Sequence, residues 1–276
     1  MKITLWMVIL DDEYYVDMAL KAALPYVDGI YIQEQGCTDD SVKVIRETVK
    51  HQVPIVIDHV PHNLGRFSPA YNEPEFRNQA IDNAEMLFPK NDWLLQCDAD
   101  DLYTPLFFES VKKLDAEGKL EGFNSIRQSG ERFISPEWRA QEGDNELGII
   151  QEIDGVKYLD PHTRLWRMRQ GVRYVVNPEF SDGDFPFLHC VLMPEPVPVY
   201  WLPGICVIHL HRMFGPKAWA FWEEGGDVFE RRTPFNPAKQ APKWFAADVN
   251  MGNAKHTPYD WPDFVIEKWL KWGEYD

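Results

Sequence analysis

Asp92-Trp93-Leu94-Leu95-Gln96-Cys97-Asp98-Ala99-Asp100-Asp101 decides how the rest of this chain reads. Trp93 to Cys97 is a mostly apolar run, long enough for one buried strand. It stops at three carboxylates, Asp98, Asp100 and Asp101, which a loop leaving the strand holds close together. Crowded carboxylates repel and raise one another's pKa. A divalent cation relieves that repulsion, and carboxylate oxygen is the donor that Mg²⁺ and Mn²⁺ prefer. A metal–diphosphate site is the functional reading of these residues. An acidic turn that caps a strand is the bland one, since a short motif is weak without its context.

The context comes from the preceding residues. Lys2 to Leu10 reads as a strand, followed by Asp11-Asp12-Glu13 as N-cap and first-turn acids of a helix. Val16, Ala19, Leu20, Ala23 and Leu24 recur at helical spacing, and Pro25 ends that helix. Gly29 to Glu34 is a second strand. Gln35 to Asp40 is a turn with Thr38 as a helix cap, and Val42, Ile45 and Val49 share one helix face. Pro54 to Val60 is a third strand. A helix opening at Pro74 and closing at Pro89 carries Phe76, Ala80, Ala84 and Leu87. Strands alternating with helices predict an open, mainly parallel α/β sheet with right-handed crossovers. Ligands of such sheets bind beyond the carboxyl ends of the strands. Polar residues occupy all four of those ends, which strengthens the functional reading of the acidic cluster.

Composition narrows the classes. The chain has 276 residues, 45% hydrophobic and 26% charged, as an ordinary globular protein does. No apolar run approaches the ~20 residues of a membrane-spanning helix, so the default compartment is the cytoplasm. Cys37, Cys97, Cys190 and Cys206 are scattered, which argues against a disulfide framework or a zinc knuckle. A formal charge of −16 disfavours sequence-independent nucleic-acid binding. Arg164 to Arg173, with four arginines, is the best candidate for a local basic patch.

The first ~105 residues resemble an inverting family 2 glycosyltransferase with the GT-A fold. Asp11-Asp12-Glu13 stands where that family has an Asn-Glu-Glu-like loop, and Glu34-Gln35-Gly36-Cys37-Thr38-Asp39 where it has D-x-G-S-T-D. Arg77-Asn78 matches its helical Arg-Asn pair, and Cys97-Asp98-Ala99-Asp100-Asp101 its L-D-A-D-[DE] strand end. The resemblance implies a GT-A-type Rossmann-like sheet with helices on both faces. It implies Mn²⁺ or Mg²⁺ and a nucleotide-sugar donor, with Asp98 and Asp100 meeting metal and diphosphate. Asp11, Glu34, Asp39 and Arg77 then line the nucleotide pocket, Glu34 accepting from the base, uracil N3–H above all. Residues 1–104 form the nucleotide-sugar half and 105–212 the acceptor half of one domain. Residues 213–276 form an aromatic-rich helical and wrapping extension.

In the second half, Pro105 to Leu114 reads as a helix and Gly122 to Gln128 as a strand. Residues 129–160 are acidic, with Gly and few periodic apolar positions, and Glu142 to Glu146 reads as a mobile loop, of the kind that moves or contacts substrate near an active site. Arg164-Leu165-Trp166-Arg167-Met168 alternates as a strand and is similar to an R-L-[FW]-R strand of some family members. A His-Glu pair follows that strand in those relatives. The His is absent here, and Glu179 is the first choice for catalytic base, with Asp182 and Asp184 as rivals. Trp201 to His211 is a late strand that places His209 and His211 on one face. The resemblance implies that one of them completes the metal site, His211 ahead of His209. Arg231-Arg232 is placed to close over the diphosphate or to lie on the surface. A last helix from Pro262 carries Trp261, Phe264, Val265, Trp269 and Trp272 in one stripe.

The predicted activity is metal-dependent transfer of a sugar, a hexosyl or pentosyl group, to an acceptor hydroxyl with inversion. The acceptor could be a glycan, lipid, protein or modified nucleic-acid base. Rival readings are a non-catalytic nucleotide-sugar or glycan-binding protein, a sugar-phosphate nucleotidylyltransferase and a haloacid-dehalogenase-type phosphohydrolase. A nucleotidylyltransferase needs a Gly-rich loop where Asp11-Asp12-Glu13 stands. The phosphohydrolase motif D-x-D-x-[TV] follows a first strand, whereas here the acids follow the fourth and Leu102 stands where Thr would.

Overall fold

The computed structural model describes residues 1–61, 73–123, 125–135, 138–140, 151–153, 156–159, 164–176, 189–192, 199–210, 254–256 and 259–272. The elements of the first half are β1 (Ile3–Ile9), α1 (Val16–Ala23), β2 (Gly29–Glu34), α2 (Ser41–Val49), β3 (Ile55–His59), α3 (Glu73–Leu87) and β4 (Trp93–Gln96). Four parallel strands line up as β3-β2-β1-β4. Every residue of β1, β2 and β4 is buried, as a parallel sheet covered on both faces requires.

Period-two alternation sorts these residues into two cores. Leu5, Met7, Ile9, Ile30, Ile32 and Leu95 face α1 and α2. Trp6, Val8, Tyr31 and Leu94 face α3 through Ala80, Ile81 and Ala84. Alanines one turn apart leave room for Trp6 and Tyr31, so the helix lies close on bulky strand residues. Gly29 opens β2 because the Phe88 ring lies where a Cβ would stand, with Phe88 Cε1 at 2.4 Å from that position.

The second half contributes β5 (Asp101–Tyr103), α4 (Pro105–Ala116), β6 (Ser125–Ser135), β7 (Trp138–Ala140), β8 (Gln151–Ile153), β9 (Val156–Leu159), β10 (Leu165–Arg167), β11 (Arg173–Val176), β12 (His189–Leu192), β13 (Val199–His209), β14 (Ala254–His256) and α5 (Asp263–Trp272). β10 runs antiparallel between β4 and β6. β13 lies parallel to β6, with its register shifted between Leu202 and Val207, where Gly204 takes φ +98°. β5 pairs antiparallel with the end of β13. β7 and β14 extend the sheet beyond β6, and β11-β12-β9-β8 form a second sheet. The fold is thus the expected α/β class: a Rossmann-like parallel half continued by a mixed half, with helices on both faces. Val265 of α5, with Trp261 just ahead of the helix, packs against Tyr15, Met18, Leu102, Ile208 and Leu210, directly behind β5 and β13.

Several local expectations are corrected. α1 starts at Val16 with Tyr15 at its N-cap, so Asp11, Asp12 and Glu13 lie ahead of the helix. Asp40, not Thr38, precedes α2, and Thr38 is tied to Asp11 instead. Residues 129–160 contain the rest of β6 with β7, β8 and β9, so much of that stretch is strand. β7 and β8 have three residues each and β9 four, too few for a period to show, and Glu142 to Glu146 lies outside the described residues.

The arginines of 164–173 are not a basic patch. Arg164 bonds Asp98 (2.9 Å), and Arg167 bonds the carbonyls of Phe123 (2.9 Å) and Leu120 (3.0 Å). Arg169 bonds the carbonyl of Asn91 (3.0 Å), and Arg173 bonds Asp82 (2.6 Å). Each guanidinium is committed to a different partner.

Candidate active site at the carboxyl edge

β4 delivers its last residues to the edge of the sheet, and the chain turns back at once into β5. The turn is closed by Asp101 N–H donating to the Asp98 carbonyl at 2.9 Å. The three carboxylates thereby receive different environments. Asp98 stays partly exposed and is held from two sides. Arg164 Nη1 donates to its Oδ2 at 2.9 Å, and Arg77 reaches its Oδ1 with both Nη atoms at 3.4 Å. Asp101 is fully buried, with Arg164 Nη2 3.5 Å from its Oδ2 and His209 Nδ1 2.5 Å from its Oδ1. Asp100 sits between them, half-buried, and its carbonyl accepts from Leu210 N–H at 2.8 Å.

The repulsion foreseen among these acids is therefore relieved in large part by guanidinium groups. Burial of Arg164 works against its charge, but Asp98 and Asp101 more than offset it and push its pKa up. Burial likewise opposes charge on His209, and Asp101 outweighs it, so the imidazole pKa is raised. Such a pair is retained only where the geometry compensates desolvation. Here one planar guanidinium spans two carboxylates, which suits its fixed fork of donors.

Neighbouring residues hold the arginines. The Gln96 amide is oriented by its surroundings: its oxygen accepts from Arg77 (2.6 Å) and from Arg164, and its nitrogen donates to the Tyr174 hydroxyl. The Arg77 guanidinium lies 5.4 Å from the centre of the Tyr174 ring. Asn78, beside it on α3, clips the Tyr174 backbone, donating to its carbonyl (3.0 Å) and accepting from its N–H (2.8 Å). The Arg77-Asn78 pair thus divides its work: Arg77 faces the acidic corner and Asn78 fastens β11.

The loops after β1 and β2 form a second cluster on the same edge. Asp11, at φ +53°, accepts from the N–H groups of Thr38 (2.6 Å) and Asp39 (3.2 Å). Asp39 in turn accepts from Glu13 N–H (3.0 Å) and Ser41 N–H (3.0 Å). Glu34 is buried, and its carboxylate takes the N–H groups of Gly36 and Cys37 and the imidazole of His59. Burial pushes the Glu34 carboxyl up, but His59 and the N–H groups of Cys37 and Gly36 bring it below its ordinary value.

Among the described residues, Asp11, Cys37 and Asp39 alone bring three metal-ligating atoms within 4.8 Å of one another. Burial, together with the charges of Glu34 and Asp39, pushes the Cys37 thiol up to about 12, although the Asp11 N–H bond lowers it. The Asp11 and Asp39 carboxylates are committed to backbone N–H groups, so this cluster ties the loops after β1 and β2 together.

Of the residues singled out from the sequence, Asp98, Asp100, Arg77 and His209 come together, and Asp11, Glu34 and Asp39 form the neighbouring latch. Glu179, Asp182, Asp184, His211 and Arg231 lie outside the described residues. Sequence reasoning missed Arg164 and Asp101 as ion-pair partners, and Gln96 and Tyr174 as their support. The adjacency of β10 to β4 was the signal needed, and strand order is not written in local pattern. The donor set of the acidic corner fits a hard divalent cation, which takes one or two carboxylates and completes its coordination with water and phosphate oxygens. Asp98 or Asp100 would supply an oxygen and His209 a nitrogen, with phosphate oxygens and water in the remaining positions.

No family model matches the chain, and no curated protein matches it. Solved structures similar to it include glucosyl-3-phosphoglycerate synthase from Mycobacterium tuberculosis in complex with Mn²⁺, uridine-diphosphate and glucosyl-3-phosphoglycerate. That match has 16% identity and a TM-score of 0.35, over 47% of this chain and 44% of that one. The same enzyme with Mg²⁺ and uridine-diphosphate matches at 16% identity and a TM-score of 0.33, over 47% and 43%. A further mycobacterial protein matches at 17% identity and a TM-score of 0.34, over 48% and 41%. The chain spans less than half the length of the solved structures it matches, and a likeness this distant carries no weight for what it binds or does.

Proposed function

We propose that this protein is a glycosyltransferase that moves a sugar from a nucleotide diphosphate, a UDP-sugar first, to an acceptor hydroxyl with inversion. One observation carries the reading: Asp98, Asp100, Arg77, Arg164 and His209 assemble beyond the carboxyl end of β4, where open α/β sheets bind their ligands. Charged groups of both signs at one strand end suit a diphosphate shared with a divalent ion.

Bound there, Mn²⁺ or Mg²⁺ supplies electrostatic stabilisation of the leaving diphosphate. The chain's own residues do the rest. Arg77 and Arg164 hold Asp98 in place and offset the negative charge of the acidic turn, which lowers the cost of bringing a diphosphate there. The latch of Asp11, Glu34 and Asp39 shapes the loops on the nucleotide side. Arg231 is proposed to approach the diphosphate, and His211 remains a proposed metal ligand beside His209. Glu179 follows β11 by three residues, and it, or Asp182 or Asp184, takes the acceptor proton as general base. Attack on the face opposite the leaving group inverts the anomeric centre.

The test is incubation of the purified protein with Mn²⁺ and a panel of UDP- and GDP-sugars, following release of free nucleotide. Slow hydrolysis of one donor is expected, and Asp100→Ala abolishes it. Absence of hydrolysis with every donor, while a donor still binds, would assign the chain to the non-catalytic class.

A further inference from the structure

We infer that Asp101, the third carboxylate of the acidic turn, is a positioning residue that orients His209 toward the divalent cation. The inference rests on the glycosyltransferase reading above and assigns a role that reading leaves open. Asp101 is fully buried and begins β5, where it is the cross-strand partner of His209 at the end of β13. Its two oxygens serve an imidazole and a guanidinium: Oδ1 lies 2.5 Å from His209 Nδ1, and Oδ2 lies 3.5 Å from Arg164 Nη2.

Neither strand end can drift from the other. Leu102 and Ile208, the next register pair, are both fully buried, and Trp261 and Val265 lie in the same apolar cluster behind them. Leu210 N–H bonds the Asp100 carbonyl at 2.8 Å, which sets the histidine strand against the Asp100 main chain. An imidazole whose Nδ1 lies against a carboxylate oxygen has Nε2 on its opposite edge as the atom for a metal. A carboxylate on the far nitrogen is the usual way a metal-bound histidine is held in orientation and made more basic. A buried carboxylate costs desolvation that an apolar side chain of similar size would avoid. Asp101 is compensated by Asp98 N–H on Oδ2 (3.3 Å), by the Arg164 guanidinium and by the imidazole, and among the described residues only the imidazole stands on Oδ1.

The experiment is Mn²⁺ binding in the presence of UDP, followed by electron paramagnetic resonance, with the electron spin-echo modulation of ¹⁴N read as the signature of a coordinated imidazole. Wild type is expected to show the nitrogen modulation, and His209→Gln to lose it while keeping a weaker ion. Asp101→Asn is expected to bind Mn²⁺ about 10–100-fold more weakly with the modulation diminished. Asp101→Glu, which keeps the charge but displaces it, replaces Asp101→Asn if the latter does not fold and is expected to weaken Mn²⁺ likewise. Wild-type affinity and modulation in the folded Asp101 variant overturn the inference, as does modulation that survives in His209→Gln. Mn²⁺ bound by wild type without nitrogen modulation overturns the inference and leaves the glycosyltransferase reading standing. No Mn²⁺ binding with UDP removes both.

Discussion

Replacing Arg164 with Leu removes the guanidinium that bridges Asp98 and Asp101 and keeps a side chain that β10 can bury. Arg164 is 6% exposed and Asp101 not at all, so the loss occurs away from water. Breaking a buried pair by removing one partner costs roughly 3–5 kcal/mol. The lower end applies here, because Arg77 remains on Asp98 at 3.4 Å and His209 remains on Asp101 at 2.5 Å. The expected loss is about 3 kcal/mol. At ~2–4 °C per kcal/mol for a domain of about this size, Tm falls by roughly 6–12 °C. Urea unfolding followed by tryptophan fluorescence reads the same quantity, with the midpoint lowered and the slope unchanged. Arg164→Lys keeps the charge but not the fork, so it should recover only part of the loss. Adding Asp101→Asn to Arg164→Leu should recover at least about 1 kcal/mol, since the uncompensated charge is then gone. A loss below about 1 kcal/mol for Arg164→Leu would refute the view that this guanidinium compensates buried charge.

Three further outcomes are expected. Glu34 is held below its ordinary carboxyl value of 4.5, so its stabilisation is complete above that pH and disappears as pH falls through the lower folded value; the stability gap between wild type and Glu34→Gln should be widest at pH 7 and shrink toward pH 3, and a gap that widens in acid would show the sign to be wrong. Gln33 is fully buried on β2 with neither amide atom hydrogen-bonded, and Gln33→Leu should raise stability by about 1 kcal/mol in urea unfolding, because an unsatisfied buried polar group costs ~1–3 kcal/mol; a loss instead would mean that the amide is satisfied by water or ligand. Asn78→Ala removes both bonds to the Tyr174 backbone and should cost about 1–3 kcal/mol, with faster amide exchange at Tyr174 as a local check.

By itself, the sequence determined the parallel half of the fold. Apolar runs at strand spacing, helical stripes and prolines at helix ends are local signals, and β1 to β4 with α1 to α3 follow from them within a residue or two, except that α1 opens at Val16, after the acids expected to begin it. The same pattern put Asp11, Glu34 and Asp98 beyond the carboxyl ends of their strands, because a parallel sheet brings those ends to one edge. Tertiary structure alone decided what each carboxylate faces. Asp98, Asp100 and Asp101 look alike in sequence, yet Asp98 meets two guanidiniums, Asp100 takes a backbone amide on its carbonyl, and Asp101 meets an imidazole and one guanidinium. Those partners lie 21 to 110 residues away, and they arrive through strand order and register: β10 beside β4, and β13 beside β5. Local pattern encodes period and burial. It does not encode which distant strand lies alongside, and the partner of each carboxylate is settled by that neighbour.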